Sequence, residues 1–107
     1  MPGVDLNYFI RQANKLNEKR DQRIKELSDE TVESRTSGDG LVTAAANGMG
    51  DQIKKISIDK KIVDPNDIAM LEDLVTAAVN SALAAGKEHR EKELSKLTQG
   101  VKIPGFT

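Results

Sequence analysis

The sequence predicts an α+β fold in which a long helix, a three-stranded antiparallel β-meander and a second long helix follow one another. Apolar residues recur every three or four positions up to residue 28 and again beyond residue 64, as in amphipathic helices. The stretch between them is rich in β-branched residues and is divided by two glycine-containing turns. We expect one domain over residues 1–107, with 1–4 and 101–107 as flexible or extended ends.

The first helix is predicted over residues 5–28, with Asp5 as its N-cap, because this carboxylate can accept the free N–H groups of the first turn. Arg20 lies near the centre of the apolar stripe, where a cation is costly unless its head reaches water or pairs. Arg20 therefore extends to solvent or pairs across a helix contact with an acid among residues 88–93, such as Glu93. The stripe consists of Leu6, Phe9, Ala13, Leu16, Ile24 and Leu27.

Three strands are predicted over residues 31–36, 41–46 and 51–58. Residues 37–40 and 47–50 form the two turns, since Gly, Asp and Asn tolerate the conformations that turns require. The step from Ile53 to Ile56 breaks strict alternation, which indicates a β-bulge near Lys54 and Lys55.

The second helix is predicted to open at Asp64 and Pro65, with Asp64 as its cap, and to end near Thr98 before Gly100. At 1.5 Å per residue it would be on the order of 50 Å long. A compact chain of this size has a radius of gyration of about 13 Å, so the helix needs a partner chain or stands in solvent. Its seam runs through Leu71, Val75, Ala78, Ala82, Ala85, His89 and Glu93.

His89 has two interpretations on this seam. It forms a pH-dependent contact between helices, or it is a partly exposed histidine among charged residues.

Enzymatic chemistry is not expected. The chain has one histidine and no cysteine, which excludes disulfides, thiol nucleophiles and Cys-ligated metals. Gly48-Met49-Gly50 is not followed by the Gly-Lys-Ser/Thr of a phosphate loop. The acidic clusters are typical of a solvated helix face. We predict no catalytic residues, no cofactor, no metal and no small-molecule substrate.

The charges suggest one polyanion-binding surface. Sixteen basic and 17 acidic residues give a net charge of −1, which argues against a bulk polycation but allows a local basic row. Arg11, Lys15 and Lys19 recur every four residues on the helix face opposite the stripe, with Arg23 and Lys25 nearby. Such a row can contact phosphates, whereas base stacking is not expected because no aromatic residues are interleaved. The alternative is a solvated outer face.

No basic region followed by an apolar run begins the chain, and no stretch approaches 18 consecutive apolar residues. We therefore expect a cytoplasmic protein without a membrane span.

Several motifs together resemble the YbaB/EbfC family of nucleoid-associated proteins. They are Gly40-Leu41-Val42, Asn47-Gly48-Met49-Gly50, the run 53–59 (IKKISID), the run 63–67 (VDPND), the run 70–82 (MLEDLVTAAVNSA), and the tail motifs at 96–100 and 103–106. The resemblance covers nearly the whole chain. It implies a small bacterial cytoplasmic protein that forms an intertwined or sheet-packed homodimer with protruding paired helices. The resemblance further implies that these helices bind double-stranded DNA with weak or variable sequence preference, and it implies no catalytic residues.

Carried onto this chain, the resemblance places DNA contacts on the basic residues of both helices. They are Arg11, Lys15, Lys19, Arg23, Lys25, Lys87, Arg90 and Lys92. The thin aromatic supply and the apolar seam predict a dimer whose shared core contains Leu41, Ile53, Ile56, Leu71, Val75 and Ala78. The alternative function is an adaptor whose charged helix ends dock a protein partner.

Overall fold

A computed structural model describes residues 5–34 and 40–99, and within them the predicted α+β order of elements is confirmed. Short 3₁₀ turns follow the third strand and the second helix, at Lys60–Ile62 and Lys96–Thr98. The helices are α1 (Leu6–Asp29) and α2 (Ile68–Ser95), and the strands are β1 (Thr31–Glu33), β2 (Val42–Asn47) and β3 (Ile53–Ile58).

The sheet is an antiparallel meander in the order β1-β2-β3. Ala45 pairs with Lys55 and Ala46 pairs with Ile53, which leaves Lys54 as the extra residue of a bulge and confirms the predicted irregularity. At this bulge the Lys54 ammonium donates a hydrogen bond to the carbonyl of Asp29 at the end of α1, 3.0 Å away. Residues 37–39 of the other predicted turn lie outside the described residues, as do residues 35 and 36 at the predicted end of the first strand.

The predicted N-cap is confirmed for the first helix but not for the second. Asp5 caps α1 as expected, since its carboxylate accepts a hydrogen bond from the Asn7 N–H at 3.0 Å. The prediction that Asp64 caps the second helix is wrong. Asp64 instead closes a turn, in which its carbonyl accepts the Asp67 N–H, and Asp67 then caps α2 by accepting the Met70 N–H. The chain must complete this turn before it can enter the helix.

The core forms where α2 crosses the centre of the sheet. Val42, Ala44 and Ala46 of β2 are buried against Ala78 and Ala82 of α2. Because alanine side chains end at Cβ, the helix and the strand approach closely without large side chains between them. Larger residues of both elements pack only partly buried around this centre, namely Ile53, Ile62, Leu71, Leu74, Val75, Val79 and Leu83.

Helix α2 and the turn after it are, by length and composition alone, apolar enough to cross a membrane. Core helices pass the same test, and part of the apolar surface of this helix packs on the sheet. Only 17% of its most apolar window is buried within the chain, so much of this apolar surface is left uncovered.

The molecule is elongated, measuring 76 × 23 × 17 Å with a radius of gyration of 20.6 Å. A compact chain of this length would have a radius of gyration of about 13 Å. Leu27 is the buried residue of α1, whereas Leu6, Tyr8 and Ile10 at the other end are about half exposed or more. Helix α1 is therefore attached at its C-terminal end and projects from the sheet, whereas the overhang predicted from the sequence is that of the second helix.

Candidate nucleic-acid interface

The row Arg11, Lys15 and Lys19 lies on the projecting part of α1, and all three side chains are exposed. Four residues of helix rise about 6 Å, so the row presents one cation on each successive turn. Lys25 is exposed nearer the sheet. We call residues 6–22 of α1, which carry the row, the α1 arm.

Arg11 has a carboxylate close by. Its Nη2 lies 3.9 Å from Oδ2 of Asp5, and both side chains are more than 60% exposed. A surface pair at this distance contributes little and is readily screened by salt. Arg11 therefore remains able to exchange Asp5 for another anion.

Lys15 and Lys19 border an open groove of about 390 Å³ between α1 and the 3₁₀ turn after α2. Leu97, from that turn, lines the groove from the other side. The end of α2 thus lies beside the basic side of α1 rather than over its apolar stripe. Leu6 and Phe9 of the stripe stay exposed.

Arg23 was expected among the phosphate contacts, but the structure places it between the two helices. Its side chain is 23% exposed, and its guanidinium donates from Nη1 to Glu30 Oε2 at 2.7 Å and from Nη2 to Glu93 Oε1 at 2.6 Å. The hydrogen bonds to Glu93 and then Glu30 raise the pKa of Arg23 further. Arg23 therefore does not share the solvent-facing setting of Arg11, Lys15 and Lys19.

Arg20 is exposed, in agreement with the interpretation in which it extends to solvent. The alternative interpretation paired Arg20 with an acid such as Glu93. Glu93 pairs with Arg23, which lies one turn further along the helix on the side that faces α2.

A third carboxylate, Glu26, lies 3.7 Å from Arg23 Nη1. The two that bind Arg23 more closely, Glu30 and Glu93, have further partners. Glu30 Oε1 lies 3.0 Å from His89 Nε2, and the hydrogen bond from His89, followed by that from Arg23, lowers the pKa of Glu30. Glu93 accepts from Lys96 Nζ at 2.5 Å, and the bonds from Lys96 and Arg23 lower the pKa of Glu93 to about 2. We call Arg23, Glu30, His89, Glu93 and Lys96 the ion-pair cluster.

His89 thus makes the contact between elements that one interpretation of the sequence proposed, and it is also partly exposed at 32% of its side chain. Sequence reasoning missed Glu30 altogether. No periodicity signals a residue whose partners lie 7 positions before it and 59 after it.

The basic residues of α2 that were proposed to contact DNA differ in their exposure. Lys87 and Lys92 are exposed, and the Lys87 backbone packs against Gly50. Arg90 is half-buried, and its Nη1 lies 3.5 Å from the carbonyl oxygen of Met49, at the outer limit of a hydrogen bond. Arg90 therefore has less surface to offer a ligand than the two lysines.

The residues proposed for the dimer core also divide by exposure. Ala78 is already buried within the chain, and Leu41, Ile53, Leu71 and Val75 are half-buried. Ile56 is 43% exposed, and Ile58, Val63 and Ile68 expose similar fractions. Apolar area that a second chain could cover is therefore present beside β3 and at the start of α2.

Metal binding finds no support among residues 5–34 and 40–99, where no three His, Asp or Glu side chains form a group that could hold an ion.

Comparison with known proteins supplies the family context. A model described as the YbaB/EbfC DNA-binding family matches residues 1–101. A nucleoid-associated protein of Myxococcus xanthus is 60% identical over the full length of both chains. Another nucleoid-associated protein, from Anaeromyxobacter dehalogenans, is 45% identical over 96% of this chain and 98% of its own.

The fold has a solved counterpart. The crystal structure of an uncharacterized protein from Helicobacter pylori aligns with a TM-score of 0.70, covering 91% of this chain and 99% of that one. At 22% identity the likeness extends to the fold alone.

Proposed function

The chain belongs to the YbaB/EbfC DNA-binding family, and on that premise we propose that it is a non-enzymatic, nucleoid-associated protein that binds double-stranded DNA as a homodimer. It acts in the bacterial cytoplasm, on the nucleoid. It holds DNA mainly through phosphates and has little sequence preference.

The observation that carries this proposal is the exposed basic row on the α1 arm. Arg11, Lys15 and Lys19 lie on one side of a helix that projects from the body of the molecule. Contacts of such cations with phosphates position a protein on a duplex but carry no sequence information. Lys25 adds to this surface, and Lys87 and Lys92, with a smaller share from Arg90, form the second set on α2.

A homodimer reconciles this surface with the net charge of −1 per chain. Two copies of the row give six cations on two arms, and affinity depends on where these charges lie rather than on their sum. Neutralising about six phosphates releases their counterions. Binding should therefore weaken on the order of a thousandfold between 50 and 200 mM salt.

The test is the triple reversal of Arg11, Lys15 and Lys19 to Glu, measured by mobility shift on duplex DNA over a salt series. We expect binding to be lost, because three contacts per chain become repulsions. The control reverses Lys55, Lys60 and Lys61, which are exposed on β3 and the turn after it, to Glu. It changes the net charge equally and should keep most of the affinity.

Unchanged affinity in the first triple variant would place the DNA site elsewhere. Equal losses in both variants would show that net charge, and not the row, governs binding. A wild-type protein that shifts no DNA at physiological salt but captures one specific protein would favour the adaptor function instead.

A further inference from the structure

We propose that Arg23 is a positioning residue that fixes the angle between α1 and α2 and thereby the place of the arm's cations. The consequence for DNA binding rests on the proposed function, whereas the consequence for the arm does not. This assignment differs from the phosphate contact that the sequence suggested for the same residue.

The attachment of α1 is concentrated at its C-terminal end. Leu27 is fully buried, and its carbonyl accepts the Gly48 N–H at 2.9 Å. Gly48 also donates to the carbonyl of Glu30 at 3.1 Å, and Lys54 holds the carbonyl of Asp29. These contacts fix the end of the helix, but being close together they resist tilting of the rest only weakly.

Arg23 supplies a second point of attachment, one turn from Leu27. Its guanidinium holds two acids at once, Glu93 on α2 and Glu30, which His89 of α2 also holds. The five donors of a guanidinium are fixed in one plane, so bonds at two of its nitrogens restrict its direction as well as its distance. The bridge therefore constrains how α1 lies against α2.

Beyond Arg23 the arm also faces the 3₁₀ turn after α2, where Leu97 lies across an open groove from Lys15 and Lys19, so the packing there is loose. From residue 6 to residue 22 every side chain is exposed except Leu16, which is half-buried. Arg11 lies 16 residues from Leu27, which is about 24 Å along the helix. A tilt of 10° about the attached end would move Arg11 by about 4 Å, enough to take a cation out of contact with a phosphate.

The two roles of Arg23 predict opposite effects when Glu93 is neutralised. If Arg23 contacts phosphate, Glu93→Gln releases a competing carboxylate and adds positive charge, so DNA affinity rises. If Arg23 positions the arm, the same change weakens the bridge and affinity falls although the net charge became more favourable. Glu91→Gln on the exposed side of α2 gives the effect of the charge change alone.

The experiment measures the arm directly and DNA binding separately. The chain has no cysteine, so Gln12→Cys on the arm and Asn80→Cys on α2 accept two spin labels at defined exposed sites. Labelled chain is mixed with excess unlabelled chain, and the distance between labels is measured by double electron–electron resonance. The variants are Arg23→Gln, Arg23→Lys, Glu93→Gln and Glu91→Gln, and circular dichroism checks that each is folded.

We expect Arg23→Gln and Glu93→Gln to broaden the distance distribution and to weaken DNA binding on the order of tenfold. Arg23→Lys keeps the charge but cannot reproduce the planar fork, so it should broaden the distribution to an intermediate extent. Glu91→Gln should leave the distribution as it is and tighten binding slightly.

Two results would overturn the assignment of Arg23. One is an unchanged distance distribution in folded Arg23→Gln. The other is Glu93→Gln binding DNA at least as tightly as Glu91→Gln. Broadened distributions in a protein whose wild type binds no DNA would support the positioning of the arm and overturn the proposed function.

Discussion

Two glycines allow α2 to pass close to the loop between β2 and β3. A Cβ atom on Gly86 would lie 2.6 Å from the Cα of Gly50 and 2.7 Å from the carbonyl oxygen of Asn47. Gly50 itself has a φ of +69°, in the left-handed region that favours glycine. Glycine within a helix costs about 1 kcal/mol relative to alanine, and at Gly86 close packing offsets that cost.

Gly86→Ala should therefore destabilise the protein, although alanine is the better helix former. Overpacking costs about 1–3 kcal/mol, which should exceed the gain in helix propensity of about 1 kcal/mol. Urea unfolding at fixed chain concentration measures the difference. The control Asn80→Ala, at an exposed site of α2, should be neutral or stabilising. A more stable Gly86→Ala variant would show that helix and loop can separate at no cost.

At the scale of elements, ion pairs join the end of α1 to the C-terminal half of α2. Arg23 and Glu93 are 70 positions apart, and Glu30 and His89 are 59 apart. The hydrogen bonds to Glu30 and Glu93 lower the pKa of both carboxyl groups, so both stay ionised except at low pH. The contact between the two helices depends on this ionised state.

Acid should therefore weaken this joint over a defined range. The pKa of Glu93 falls from an ordinary value near 4.5 to about 2, and the pKa of Glu30 is also lowered. A depressed carboxyl pKa gives stability that is fully present above the ordinary value and is lost as the pH falls toward the folded-state value. The free energy of unfolding should thus drop between about pH 4.5 and pH 2, more steeply in wild type than in Glu93→Gln.

Denaturant unfolding of both proteins across this pH range measures the effect. Glu91→Gln, whose carboxyl lies outside the ion-pair cluster, should follow the wild-type profile. Parallel profiles for wild type and Glu93→Gln would show that the cluster does not contribute to stability.

The sequence predicts what is determined locally and fails where distant segments meet. The helix at Asp5, the three strands and the bulge at Lys54 follow from residues within a few positions of one another. The placement of Arg23 does not, because helical periodicity gives the face of a residue but not the element which that face meets. The helix start at Asp67 was missed because a turn and a helix cap use the same residue types.

At the scale of the whole molecule, the elongated chain leaves apolar side chains of its sheet uncovered. Ile58 pairs with Val42, and Ile56 pairs with Ala44, so both isoleucines lie on the side of the sheet that α2 covers. Both are nevertheless more than 40% exposed, as β3 is the edge strand at that side. A second chain that covers this edge would also enlarge a core made mostly of alanine.

We therefore expect the proposed homodimer to depend on the helix side of β3. Sedimentation at micromolar concentration should give a mass of roughly 23 kDa, twice the 11.7 kDa of one chain. Ile56→Asp should shift the protein toward the monomer, because it would bury an unpaired carboxylate in the interface. Lys55→Asp, the neighbouring residue on the opposite face, should leave the dimer intact. If Lys55→Asp separates the chains and Ile56→Asp does not, the interface lies on the other face of the sheet. A wild-type protein that sediments at 11.7 kDa would exclude the dimer.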